Sequence, residues 1–427
     1  MECLESQWSR ETSERITIEE AFTGLISMIH SRLVKSSEVT KYGANTTIVY
    51  SRGAPLRSPW ESWLGFPFLL LLILLLSACS DSFTPTTSTA GSTDSPTVHS
   101  QPKTTPLIMA SGTFQEYSLP LSNSGLMRPA IDHIGRIWFG EMGHNFLAAF
   151  DPHTQKFQQI TPPHGRSGIM GVVVASDDTI WFAEQYANYI GHYFPASGQF
   201  QTYPLPTLIV PDPGLPGKTL TLPSAPNDLV LDNQGNAWFT ELNANALGRL
   251  HIQSGQTQQY PLATTKTTQA LNPYGITIDP QGNVWFTEAS TNQIGRLDPK
   301  KGQISYFSMQ GSSTPLMEIT ADAHGIIWAT SFSSGLLLNF NPKTATFTPY
   351  YAPSSGGLYG ITITPGGQVW VTITAANAIA NLDPTANRFI DYAIPSSGSL
   401  PLGVVMGAND SLWFTEAGSN KIGILKP

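Results

Sequence analysis

The chain has 427 residues, of which only 12% are charged, with 37 Gly, 33 Pro and a formal net charge of -8. No basic face for nucleic acid follows from that balance, and the two cysteines, Cys3 and Cys79, are too few for a zinc centre or a disulfide framework. Many turn formers and few charges point to short strands joined by tight turns rather than to amphipathic helices.

Residues 1–50 carry no motif to which a function attaches; they read as a mis-assigned start or a cytoplasmic extension. Residues 51–79 predict a lipoprotein signal peptide. Arg52 and Arg57 precede the apolar run LGFPFLLLLILLL at 64–76, which is short for a membrane-spanning helix. Leu76-Ser77-Ala78-Cys79 follows directly and has the pattern of a bacterial lipidation site, with Cys79 as the acylated residue. One such anchor holds a protein at a membrane surface without spanning it, here the extracellular face. Residues 80–112, rich in Ser, Thr and Pro, predict a flexible tether, because that composition cannot bury a core.

From residue 113 to 427 the chain repeats. Trp138, Trp181, Trp238, Trp285, Trp328, Trp370 and Trp413 are spaced by 43, 57, 47, 43, 42 and 43 residues. A tryptophan-bearing strand recurring every 40–45 residues or so is the mark of propeller blades. Each copy reads as four strands, a to d: in the clearest, an apolar run Gly275 to Asp279, then Val284 to Glu288, Gln293 to Asp298 and Gln303 to Phe307, separated by Pro/Gly/Asn turns. The fold class is therefore all-β, a seven-bladed propeller of four-stranded blades. The last copy stops after strand c, at Leu425, and a lone d-like strand precedes the first copy. Strand 113–119 is thus expected on the outside of blade seven, closing a ring that otherwise exposes edges. A Pro/Gly-rich insert, Pro204 to Pro226, accounts for the gap of 57.

Strand alternation places the d–a and b–c links on one face, where length varies and binding belongs. Two positions per copy point to that mouth. The start of strand a carries Ala130, Met170, Asn227, Tyr274, Met317, Tyr359 and Leu402, with Asp228 and Glu318 one step on. Tyr274 and Tyr359 are candidates to stack on a flat or sugar-like ligand, or to pack around the channel. The end of strand b carries Glu141, Glu184, Glu241, Glu288 and Glu416. These carboxylates either accept structural hydrogen bonds, from backbone or from the following Asn as in Thr291-Asn292, or attract a divalent cation, with Glu141, Glu184 and Glu416 as the candidate ligands. Of the histidines, only His144 and His164 reach this face, and with Glu141 and Glu184 they form the candidate acid–base cluster.

The phrases Tyr274-Gly275-Ile276-Thr277, Trp285-Phe286-Thr287-Glu288 and Asn292-Gln293-Ile294-Gly295-Arg296-Leu297 resemble the repeat of the virginiamycin B lyase (streptogramin lyase) family, as do Trp238-Phe239-Thr240-Glu241 and Trp413-Phe414-Thr415-Glu416. The resemblance covers 113–427 and implies a seven-bladed propeller. It also implies magnesium-dependent carbon–oxygen elimination that opens cyclic streptogramin B antibiotics. That family's catalytic histidines sit in Pro-His-Gly or Pro-His-Ala phrases opening strand a in late blades. The counterparts here are Pro315-Leu316-Met317-Glu318, Gly357-Leu358-Tyr359-Gly360 and Leu400-Pro401-Leu402-Gly403, none with histidine. The expectation is a monomeric, surface-tethered propeller that holds a small molecule, peptide or glycan at its mouth, touching no nucleic acid. The alternative is a metal-dependent lyase or lactone hydrolase working through His144, His164, Glu141 and Glu184, with Mg2+ as the cofactor implied by the resemblance.

Overall fold

The computed structural model describes residues 108–211, 217–262, 271–309, 314–354 and 356–427. The signal segment, Cys79 and most of the tether lie outside them. Among the described residues no helix is long and apolar enough to cross a membrane. They form seven sheets in a ring, each with four antiparallel strands and one extended by a parallel fifth, and one separate hairpin. In blade four the strands are Pro273–Ile278, Val284–Glu288, Gln293–Asp298 and Gln303–Ser308, innermost to outermost.

Closure occurs where the missing last strand predicts it. Thr113–Ser118 pairs antiparallel with Lys421–Lys426, in the register Thr113 to Lys426 and Ser118 to Lys421. Lys421 Nζ reaches Glu116 at 3.1 Å, and Ser396 Oγ donates to the same carboxylate at 2.8 Å. The chain is ordered earlier than the tether's expected end at 112: Ile108–Met109 lies parallel on the outer strand of blade six, Ile108 opposite Ile390. The hydrophobic Ile108 and Met109 end the Ser/Thr/Pro composition that keeps a segment solvated. The insert is a hairpin, Thr207–Pro211 with Thr219–Pro223, whose Thr-Leu-Ile-Val and Thr-Leu-Thr-Leu alternation supports two strands despite its prolines.

Each residue of the recurring Trp-Phe-Thr-Glu phrase has a scaffold task. Trp238 and Trp285 donate their indole N–H to Asp232 and Asp279 at 2.8 Å, pinning strand b to the a–b turn. Phe239 and Phe286 lie flat over Gly248 and Gly295 of strand c, where any Cβ would overlap the ring. The threonine bridges blades across a β-bulge in strand a: Thr372 Oγ1 accepts from Gly360 N at 2.8 Å and donates to Leu402 O of the next blade at 2.8 Å. Thr330 does the same between Glu318 N and Tyr359 O, and Thr240 between Asp228 N and Tyr274 O. Asparagines at the ends of the b–c links hold the d–a links: Asn188, Asn245, Asn377 and Asn420 take left-handed φ and accept from Ala225, Leu271, Ser399 and Ser124 N–H groups. The last of these ties blade seven to the segment entering blade one, so the ring closes with the device used between its other blades.

Candidate functional site

The openings of the a strands converge on the ring axis. Met127, Met170, Tyr274, Met317, Tyr359 and Leu402 form one buried cluster with Ala289, and Met142, Leu242, Phe332 and Ala417 of the b–c links pack half-buried around it. Blade one enters this ring through Met127, not Ala130. Leu126 bridges Glu141 as Pro273 bridges Glu288 and Pro401 bridges Glu416, which fixes the register three residues earlier than the sequence pattern placed it. Pro129 interrupts the strand there, and regular pairing begins only at Ala130.

The next position inward reads Arg128, Gly171, Asp228, Gly275, Glu318, Gly360 and Gly403 around the ring. A Cβ at Gly275 would press on the Met317 carbonyl and the Glu318 backbone, so glycine is required where the neighbouring blade approaches. The three charged residues come from blades one, three and five and meet inside the channel. Arg128 Nε donates to Glu318 Oε2 at 2.8 Å, and Nη2 lies 2.6 Å from Oε1 as a close ion-pair contact. Asp228 Oδ2 is 3.8 Å from Arg128 Nε, and its carboxylate also accepts from Leu229 N and Ile276 N. The guanidinium lies over the Tyr274 ring, 5.1 Å from its centre. Burial pushes the Asp228 and Glu318 carboxyls up against the opposing pull of Arg128. Sequence reading singled out Asp228 and Glu318 but missed Arg128. The signal was the charged–glycine alternation at this position, visible only once blade one is in register.

Tyr274 and Tyr359 do not present ring faces to a ligand. They are 3% and 0% exposed, meet edge to face at 6.4 Å, and share a hydroxyl contact of 2.6 Å. Burial pushes the Tyr274 hydroxyl up to about 12 and Tyr359 higher still, so neither is a base at neutral pH. Asn227 is fully buried and ties blades together, donating to Tyr274 O at 3.0 Å and accepting from Gln185 at 3.2 Å.

The glutamates ending strand b are buried, each held within its own blade. Glu141 and Glu241 accept from Gln159 and Gln259 of strand d; Glu288 and Glu416 accept from Thr291 and Ser419 at 2.7 Å. The asparagine that follows is not their partner, because it is engaged by the d–a link. Burial raises Glu241, Glu288 and Glu416 to about 7. In blade two the partner is His164, whose Nδ1 lies 3.2 Å from both Glu184 oxygens and whose ring stacks on Tyr189 at 3.7 Å. His144 instead turns to the Ser122 carbonyl at 2.7 Å. The sequence-level cluster therefore separates: His164 and Glu184 meet, while His144 and Glu141 have other partners.

A divalent cation finds no fitting set. Among the described residues no three His, Cys, Asp or Glu side chains converge to hold a metal. Glu141, Glu184 and Glu416 are each occupied in a different blade, and the two carboxylates on the axis are already faced by Arg128.

The virginiamycin B lyase family model matches residues 97–337 and 218–427. Among solved structures, virginiamycin B lyase from Staphylococcus aureus is 24% identical with a TM-score of 0.65, over 74% of this chain and 100% of that one. A streptogramin B lyase structure is 25% identical with a TM-score of 0.65, over 74% of this chain and 97% of its own. A catalytically inactive variant of the staphylococcal enzyme with quinupristin is 24% identical, with a TM-score of 0.65 and coverage of 74% and 100%. A search of curated protein sequences finds no match. With its seven blades and with both halves of the repeat region matched, the chain belongs to the virginiamycin B lyase family.

Proposed function

We propose that this propeller is a binding protein that holds an uncharged, largely apolar ligand at its mouth, such as a cyclic peptide, without opening it. The observation that carries the reading is the chemistry of the axis. Met317, Tyr359 and Leu402 stand where the resemblance leads one to expect histidines, and they pack into one apolar cluster. General acid–base work needs a group of suitable pKa within reach of the reacting atoms. The hydroxyls here sit far too high, and the carboxylates are locked to Arg128. The half-buried Met142, Leu242 and Phe332 around that cluster instead offer an adaptable apolar surface. The signal-like segment ending at Cys79 supports a location on the outer face of the membrane, held by lipid.

A second reading rests on one specific contact, the His164–Glu184 pair, which has the form of a base and its orienting carboxylate. One experiment separates the two. Quinupristin, the compound present with the staphylococcal variant, is incubated with the protein and magnesium, with and without chelator. Binding is followed by calorimetry and integrity by mass spectrometry. The binding reading expects saturable binding, an intact ring in both samples and loss of binding in Phe332→Asp. Absence of binding, or chelator-sensitive ring opening lost in His164→Ala, overturns it.

A further inference from the structure

We propose that the groove between blades six and seven, on the face opposite the mouth, is a saccharide-binding site. It has a volume of about 590 Å³ and is lined by Gln368, Trp370, Asn381, Tyr392, Asp410 and Lys426, among others. Its volume lies within the range of pockets that enclose small ligands.

Two features of blade six shape the groove. In blades three and four the residue paired with the tryptophan is Arg249 or Arg296, whose guanidinium covers the indole at 5.6 and 5.7 Å. In blade two His192 covers Trp181 at 3.8 Å. The same register position in blade six is Asn381, opposite Trp370, as Asn339 is opposite Trp328 in blade five. Its short side chain turns back to donate to Val369 O at 3.3 Å, leaving open the space that an arginine would fill. The second feature is Thr364, six residues before Trp370. Aspartates at that position accept the indole N–H in blades one, three and four, while in blade five Asp322 stands there and the Trp328 N–H is without an acceptor among the described residues. The Trp370 N–H has no acceptor among the described residues, although the side chain is only 4% exposed. A buried donor without a partner costs about 1–3 kcal/mol, and an oxygen entering the groove would relieve it.

The rest of the lining suits a sugar. Tyr392, half-buried with its ring centre 5.5 Å from that of Trp370, provides an apolar wall for the C–H face of a pyranose. Gln368, Asn381 and Asp410 provide amides and a carboxylate for its hydroxyls. A single lysine is too little positive charge for a phosphorylated or polyanionic ligand. Asn409 and Asp410 both hold left-handed φ, at 54° and 57°, in the turn that forms one wall.

The test uses the full-length protein in detergent and saturation-transfer NMR with glucose, N-acetylglucosamine, cellobiose and chitobiose as probes. The expected result is saturation transfer to at least one sugar, unaffected by quinupristin at the mouth. Asn381→Arg restores the cover of blades three and four and is expected to abolish the signal with the melting temperature unchanged. Thr364→Asp gives the indole its usual acceptor and is expected to weaken binding about three- to tenfold. It serves as the second arm should the arginine variant fold poorly. No transfer to any probe, transfer undiminished in Asn381→Arg, or unaltered affinity in Thr364→Asp overturns the proposal.

Discussion

Replacing Arg128 with methionine keeps most of the side-chain volume and removes the cation that faces Glu318 and Asp228. The side chains of these three residues are only 11, 9 and 13% exposed. Removing one partner of a buried ion pair costs about 3–5 kcal/mol, because the remaining charge has no compensation. That figure applies where the carboxyls are ionised. Burial already raises both folded-state carboxyls, and without Arg128 they rise further. A carboxyl whose folded pKa is raised contributes its stability at low pH and loses it as pH climbs through the folded value. Arg128→Met should therefore lose about 3–5 kcal/mol at pH 8 and less as the pH is lowered and the carboxyls take up protons. Urea denaturation followed by tryptophan fluorescence at pH 8 and in progressively more acid buffer measures this. Adding Glu318→Gln to the variant should recover much of the loss at pH 8. Equal losses at every pH, or a loss under about 1 kcal/mol at pH 8, would refute the reading of the channel as a desolvated charge set.

Thr372→Val leaves Gly360 N–H and Leu402 C=O unpaired at a blade junction and should cost about 2–4 kcal/mol, while Thr372→Ser should retain most of the stability, as read by denaturation midpoints. Glu241, Glu288 and Glu416 sit at about 7 against an ordinary 4.5, so their contribution is present in acid and fades as pH rises through neutrality. His192, lowered to about 4 by burial, acts in the opposite sense: stability falls as pH drops below 6.5. Melting temperature should thus peak in mildly acidic buffer; Glu288→Gln should flatten the alkaline limb and His192→Gln the acid one. Removing residues 108–118 exposes the edge of Lys421–Lys426 and should produce concentration-dependent aggregation by light scattering, with a lowered melting temperature.

The ring and its closure were legible because tryptophan spacing and a missing last strand are properties of the repeat as a whole. Single-blade details were less so. Pro129 and Arg128 hide blade one's bulge, since neither looks like the start of an inner strand, and the error moved the first mouth residue from Met127 to Ala130. The glutamates were recognisable as recurrent, but their partners lie on strand d or three residues on, and the choice among Gln, Thr, Ser and His differs by blade. His164 looked like a catalytic group in isolation; it reaches Glu184 from the d–a link, in a blade whose strand d carries Thr202 where blades one and three carry Gln159 and Gln259. The groove under blade six is a missing cover, and a sequence shows an absence only after the neighbouring blades reveal what should be there.

Lys426 opposite Thr113 has a topological meaning. In blade four a short turn carries the chain from Asp298 to Gln303, whose residues pair with one another. Blade seven has the same pairing with the connection omitted, so the ring is broken at what would be one c–d turn of a closed circle. A circular permutant that joins Pro427 to Thr113 through a four-residue turn and opens between Asp298 and Gln303 keeps these pairings. Its termini simply move three blades around the rim.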